Sequence, residues 1–529
     1  MPGRCGRAWL ALSAHLDAAR VAPRAYLTAS WWWLRGKRLR ARSQFAPLLG
    51  VSSKAYQLWI LKQIGGEDRS ARHASPPIVA LVDIGVGRIG LNETLLSLTA
   101  AGVPAHLVDS GNVSALAETV RQIDWQEKPW LMPIMAGDIV APAAVQAYRA
   151  AIIGSETRII YADDDLVDGR GRRIAPHFKP SWNSELFRHF DYMTGACIAR
   201  AQPEDLEGLS GEDWAGRLVA SLAARTVPLH LPQVLHHRRR RPRPRIPATF
   251  HTPGGGLPPV SVIIPTRNRH DLLHTCLAGL ENTDYPDLEI IIVDNDSDDP
   301  ATLAYLSGLD PVRYRVLRHP GPFNFSAMNN RAASEARGQL LCLLNNDIEV
   351  VTPGWLKAMA TQALREDVGA VGAQLLYPDG RIQHAGVVLG VGGAAAHAHR
   401  LLRPNEEGYF HRHALPQFTS AVTAACLVVM RPRFLAVGGL DEGRFAVAFN
   451  DVDLCMRLNR RGWQSLYEPR AMLIHHESVS RGFDRDPIGA ARLARELAAL
   501  QELWGTGERI DPFHHPELSR FSERFVVRL

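Results

Sequence analysis

The chain has 529 residues, 46% hydrophobic and 22% charged, which excludes a mainly disordered polymer and leaves room for about two to four domains with full cores. Six scattered cysteines, none at C-x-x-C spacing, exclude a disulfide framework and a zinc ribbon and fit a reducing compartment. The net charge of +6 suits a phosphate-bearing partner, but no nucleic-acid-binding motif accompanies it, so nucleic acid is not expected as a partner.

Residues 1–75 read as a helical lead-in. Arg4 and Arg7 precede only a short apolar run that His15, Asp17 and Arg20 interrupt, so a cleaved signal peptide is not expected. No apolar stretch reaches the ~18 to 20 residues that span a bilayer. Trp31, Trp32 and Trp33 are followed by Arg35, Lys37, Arg38, Arg40 and Arg42. Such a segment either seats on an anionic membrane surface or forms a Trp-rich helix packed on the next domain.

Residues 76–235 and 260–482 read as two α/β units, joined by an Arg/Pro/Gly-rich linker at 236–259. Residues 483–529 form a C-terminal extension whose 485–505 stretch has the spacing of an amphipathic helix. The two units repeat each other in order: Ile78–Val82 with Val260–Ile264, Asp109 with Asp294, Asp138 with Asp347, Thr194–Cys197 with Thr423–Cys426, and a His-His pair closing each. Asp109 and Asp138 are 29 positions apart, Asp294 and Asp347 are 53, so the first copy is about 24 residues shorter. The missing piece is placed at Gly321–Gly338, a loop plus a helix.

In the second unit, apolar runs at Val260–Pro265, Leu288–Val293 and Gln339–Leu344 alternate with helical patterns. This βαβαβ order predicts a mostly parallel sheet with its ligand at the carboxyl ends of the strands. Those ends carry Thr266, Arg267, Asp294 and Asp347. No Gly-rich phosphate loop follows the first strand, which counts against a dinucleotide oxidoreductase, a P-loop NTPase and a nucleotidyltransferase. Asp347, inside Asn345-Asn346-Asp347, suits a divalent cation that carries phosphate, or is a turn residue. Asp451 and Asp453 open a helix pattern, as caps or with one of them as a general base. His475 and His476 end a strand, as metal ligands or as structural side chains.

The ordered set P-T-R-N at 265, V-D-N-D at 293, L-L-N-N-D at 343, F-N-D-V-D-L-C at 449 and H-H-E-S-V-S-R-G at 475 resembles the family 2 glycosyltransferases with their GT-A fold. The arrangement is most similar to bacterial rhamnosyltransferase-type and O-antigen or capsule enzymes with two such domains. Tyr161–Asp165, His177–Asn183 and the tail from Asp511 extend the likeness over residues 76–517. The resemblance implies an α/β fold of two GT-A-like (Rossmann-like) domains in tandem, the first degenerate, with helical N- and C-terminal extensions.

It also implies roles. Pro265, Thr266, Arg267 and Asn346 would line the nucleotide site, and Asp294 would hydrogen-bond the base. Asp347 would bind Mn²⁺ or Mg²⁺ with His475, or His476 as second choice, and Arg481 would face the diphosphate. Asp451 would be the catalytic base. Asn345 and Asn450 stand where the family pattern is acidic, which shifts the burden to Asp347, a histidine and Asp451. The implied reaction is inverting, metal-dependent, hexosyltransferase-like transfer from a UDP-, dTDP- or GDP-sugar to a hydroxyl of a glycan or lipid-linked acceptor in bacterial surface polysaccharide synthesis. The expected location is cytoplasmic, at the inner face of the membrane if the Trp/Arg segment docks there.

The competing reading is a non-catalytic nucleotide- or carbohydrate-binding scaffold of a polysaccharide assembly complex. In the first unit, Asp138 occupies the metal position, Asp213 lies near that of the base, and Asp163–Asp165 form an acid cluster. That unit is read as a degenerate copy kept for scaffolding or acceptor binding, with a second transferase site as the alternative. His397, His399, His411 and His413 lie in a loop expected to set specificity, facing solvent or the acceptor.

Overall fold

The structure, a computed structural model, describes residues 4–63, 75–85, 87–249, 256–476 and 487–529. Four helices open the chain: Arg4–Val21, Pro23–Leu34, Arg38–Gly50 and Ala55–Gln63. Pro23 starts its helix at a position where the missing N–H costs nothing. The last of the four packs Tyr56 and Trp59 against Phe178, which anchors the extension on the first unit.

The first unit contains β1 (Ile78–Asp83), β2 (Ala105–Val108), β3 (Trp130–Met135), β4 (Ile139–Val140), β5 (Ile159–Val167), β6 (Arg173–His177), β7 (Cys197–Ala199) and β8 (Leu229–Arg238). The second contains β9 (Val260–Thr266), β10 (Leu288–Asp294), β11 (Tyr314–Arg318), β12 (Leu340–Leu344), β13 (Ile348–Val350), β14 (Val368–Leu376), β15 (Ile382–His384), β16 (Val387–Leu389), β17 (Ala395–His397), β18 (Gln417–Thr419), β19 (Cys426–Met430) and β20 (Gln464–His475). The first sheet runs β2-β1-β3-β7-β5-β8-β4, and the second runs β11-β10-β9-β12-β19-β14-β20-β13. The two orders are the same strand for strand, except that β11 adds an edge to the second. The repeat read from the sequence is therefore a repeat of topology. Among the described residues the first copy has no counterpart of the helix Phe325–Glu335, as expected, nor of the edge strand Tyr314–Arg318 before it.

The parallel order expected from the βαβαβ pattern covers β11, β10, β9 and β12. Beyond them β19 is inserted antiparallel to both neighbours, so each sheet is mixed as a whole. The central strands β9 and β12 are buried along their whole length because both faces are covered, whereas the edge strand β11 mixes buried, half-buried and exposed residues. Val262 and Ile264 point into the cluster with Leu273, Leu277 and Trp355, while Ile263 points into the cluster with Met328, Leu454 and Leu500.

After β8 the chain lies along the first unit. Arg241 pairs with Asp164, and the Arg245 N–H donates to the His189 carbonyl at 2.7 Å. The helix Pro487–Trp504 packs on the second unit, and the tail behind it bridges both: Ser181 N–H donates to Pro512 C=O at 2.8 Å, and Leu389 N–H to Asp511 at 2.7 Å.

Candidate functional site

The carboxyl ends of β9, β10 and β12 meet at one edge of the second sheet. Thr266 and Asp294 are register partners, and Asn346 Nδ2 donates to Thr266 Oγ1 at 3.0 Å. Asp294 is buried and accepts the Ser297 N–H at 3.2 Å. Pro265 is buried in the strand, and Arg267 is exposed on the loop that follows. Asn268 and Arg269 both adopt left-handed backbone, with φ of 54° and 57°. That strain is held by Asn268, whose amide bonds Asp298 on the loop after β10 in both directions.

Asp347 follows β12, and His475 ends β20. Because β13 and β20 pair with Ile348 opposite His475, these side chains are brought together. His475 Nε2 lies 3.0 Å from Asp347 Oδ1, and His475 Nδ1 lies 2.7 Å from Gln383 Oε1. An amide oxygen at Nδ1 assigns a proton to that nitrogen. Nε2 then turns a lone pair toward a carboxylate oxygen, and two acceptors at this distance require a shared cation, a proton or a metal ion. Oxygen and imidazole donors together fit Mn²⁺- or Mg²⁺-like ions. Asn345 Nδ2 sits 3.4 Å from the same Nε2. His476 turns its ring to Glu349 at 2.9 Å, and only its backbone N–H meets the Asp347 carbonyl. Arg269 feels this centre: its pKa is raised, first by its hydrogen bond to Asp271 and further by the charge of Asp347.

Asp451 sits in the first turn of the helix Asn450–Arg460. Its Oδ2 accepts the Ala424 N–H at 3.0 Å. The neighbouring Ala425 carbonyl accepts the Asn345 N–H, also at 3.0 Å. The short segment before β19 is thus held on one side by Asp451 and on the other by the residue that opens the Asn-Asn-Asp tripeptide. Asp453 is committed to structure: it takes Arg457 at 2.7 Å and Trp504 Nε1 at 3.1 Å. Asn450 is buried and bonds the Val447 carbonyl. Arg481 lies outside the described residues.

Three side chains were not singled out in the sequence. Gln383 orients His475. Glu349 engages His476. Glu496, buried in the C-terminal helix, accepts the N–H groups of Val447 at 3.1 Å and Ala448 at 2.8 Å, and so fixes the loop leading into Asp451. Only Glu496 left a sequence signal, a carboxylate on the apolar stripe shared with Leu500 and Trp504. Two of the four loop histidines differ from expectation, while His397 and His411 are half-buried. His399 and His413 are buried, His399 stacked on Phe525 with ring centroids 4.5 Å apart. Burial pulls the pKa of both down, so they serve packing and do not face solvent.

Asp163, His230 and His515 form a second candidate cluster, with ligand atoms within 4.8 Å of one another. His515 Nδ1 accepts the Glu517 N–H at 3.0 Å, Nε2 approaches Asp163 Oδ2 at 2.8 Å, and His230 Nε2 meets Asp163 Oδ1 at 2.9 Å. The cluster fastens the tail to the first unit.

Residues 261–421 match the family model described as Glycosyl transferase family 2. An uncharacterized protein of Sinorhizobium fredii is 38% identical over 421 residues, 70% of this chain and 46% of that protein. The O-antigen biosynthesis protein RfbC of Myxococcus xanthus is 35% identical over 430 residues, 73% of this chain and 33% of that protein. The chain spans less than half the length of these two curated relatives. An N-acetylglucosaminyl-diphospho-decaprenol L-rhamnosyltransferase of Mycobacterium tuberculosis is 46% identical over 66 residues, 12% of this chain and 20% of that one. Among solved structures, a mannosyltransferase of Pyrobaculum calidifontis in complex with GDP-Man and Mn²⁺ overlaps 51% of this chain and 70% of its own, with TM-score 0.37 and 18% identity.

Proposed function

We propose, for a chain whose residues 261–421 are a family 2 glycosyltransferase domain, that the second unit moves a sugar with inversion from a nucleoside-diphosphate sugar to an acceptor hydroxyl. The observation that carries the reading is the approach of His475 to Asp347 at 3.0 Å, with Asp451 tied through Ala424 and Ala425 to the same strand end. Thr266, Asn346 and Asp294 form the floor on which a nucleoside would lie, with Pro265 beneath and Arg267 at the rim. Asp347 and His475 would hold Mn²⁺ or Mg²⁺, with His476 turned aside to Glu349. A bound divalent cation supplies positive charge against the departing diphosphate. Asp451 accepts the proton of the incoming hydroxyl, a contribution typically of ~10²- to 10⁴-fold. The Ala424 N–H holds that carboxylate in place. In-line attack without a covalent sugar–enzyme intermediate gives inversion.

The relatives' names point to surface polysaccharide synthesis and a lipid-linked or glycan acceptor. The N-terminal extension supports contact with an anionic membrane. Trp31 and Trp33 are 51% and 48% exposed, and Arg35 and Arg40 stack on Trp31 and Trp32 at 4.5 and 4.6 Å. Exposed indole beside arginine suits the headgroup layer. Among the described residues no helix is long and apolar enough to cross a membrane. The scaffold reading rests on Asn345 and Asn450, and the two readings separate in one titration. UDP, GDP and dTDP are added with Mn²⁺, and the melting temperature is read. A rise with one nucleotide, followed by donor turnover, supports transfer. No rise with any of the three supports the scaffold.

A further inference from the structure

The first unit has its own version of the strand-end site, and its register shows what fills it. Ile139 pairs with His237 as Ile348 pairs with His475. Asp138 therefore corresponds to Asp347, His237 to His475, and Arg238 to His476. The His-His pairs that look equivalent in the sequence are offset by one position. His237 turns away to Asp165 at 2.8 Å. The guanidinium of Arg238, a residue only 3% exposed, lies instead beside Asp138 at 3.5 Å and Asp164 at 3.9 Å. A Cβ on Gly195 would collide with that guanidinium, and the second unit has Ala424 at the matching position. A permanent cation thus stands where the second unit gathers its metal-binding pair.

Around Arg238 opens a cavity of about 800 Å³, bounded by Asp83, Met135 and Thr194 at the strand ends and by the segment after β8. Seven arginines and four carboxylates line it. Three of the carboxylates are already engaged: Asp83 by Ser110 at 2.7 Å and Trp214 at 3.1 Å, Asp191 by the N–H groups of Met193 at 3.1 Å and Thr194 at 2.9 Å, and Asp213 by Arg217 at 3.2 Å. Arg240, Arg243 and Arg245 are exposed and form no ion pair among the described residues. The lining thus carries more guanidinium than carboxylate groups, seven against four, and three of the guanidinium groups are exposed and outside any ion pair among the described residues.

We propose that this cavity binds a diphosphate group without a divalent cation. Guanidinium forks match phosphate oxygens two at a time, and a buried arginine supplies the charge that a metal would otherwise bring. The side chain of Asp213 is 74% exposed and paired with Arg217, unlike the anchored Asp451, so the site binds without transferring. The diphosphate belongs either to a nucleotide or to a lipid carrier. The site is in the other unit and stands apart from the transfer reaction proposed above.

The test is calorimetric titration of the full chain with inorganic pyrophosphate, UDP and farnesyl diphosphate in EDTA. Pyrophosphate binds the wild type and the Asp347→Asn variant alike. Affinity falls about tenfold or more in the triple variant Arg240→Gln, Arg243→Gln, Arg245→Gln, whose side chains are exposed and leave the fold intact. A preference for farnesyl diphosphate assigns the site to a lipid carrier, and a preference for UDP assigns it to a nucleotide. No binding in EDTA, or equal binding by the triple variant, overturns the proposal.

Discussion

The imidazole of His475 meets the carboxylate of Asp347 at 3.0 Å, while its other ring nitrogen is held by Gln383 at 2.7 Å. A ligand so oriented loses its alignment when the outer partner goes. Gln383→Leu is expected to weaken Mn²⁺ binding about 10- to 100-fold with the fold retained. Titration of Mn²⁺ followed by electron paramagnetic resonance measures it. Unchanged affinity would remove Gln383 as a positioning residue.

Glu496 reaches from the C-terminal helix to two N–H groups just before Asp451. Glu496→Ala is expected to lower kcat at least tenfold with KM for the donor nearly unchanged, because the base moves and the nucleotide floor does not. An equal change in both would place Glu496 elsewhere in the mechanism.

The same helix buries Leu500 completely against the second core. Leu500→Ala is expected to cost about 2 to 5 kcal/mol by leaving a cavity. Urea unfolding at constant m-value reads this directly. A loss below about 0.5 kcal/mol would show that the helix does not brace the domain.

The two sheets and the strand-end residues were legible because unbroken apolar runs such as Val260–Thr266 and Leu340–Leu344 end abruptly in polar residues, and the same order recurs twice. The mixed pairing was hidden, because a strand such as Cys426–Met430 reads alike in either direction. Gln383 carries no motif and gains its role only when β15 folds beside β14, near the end of β20. The offset between the two His-His pairs was invisible for a related reason. Residue type suggested one alignment, and the ladder between β4 and β8 set another.

Acid should destabilise the fold at pH values above the range in which ordinary carboxylates titrate. Burial depresses eight histidines, His236 and His514 to about 3. Their folded values lie below the usual ~6.5, so their contribution is complete above that pH and is lost as pH falls toward 3. Asp138, raised to about 6 by burial, and Asp511, also raised, act in the opposite sense, two groups against eight. Tm is expected to fall steadily from pH 6.5 to 4.5 in a scanning fluorimetry series. A flat or rising Tm would contradict this.

Sugar transfer in the second unit is tested most directly by single-turnover assays with a nucleotide-sugar donor, a lipid-linked acceptor and Mn²⁺, comparing wild type with Asp451→Asn. The amide keeps an oxygen for the Ala424 N–H but cannot take a proton. The account predicts turnover reduced at least ~10²-fold with nucleotide affinity intact. Wild-type rates in that variant would contradict it.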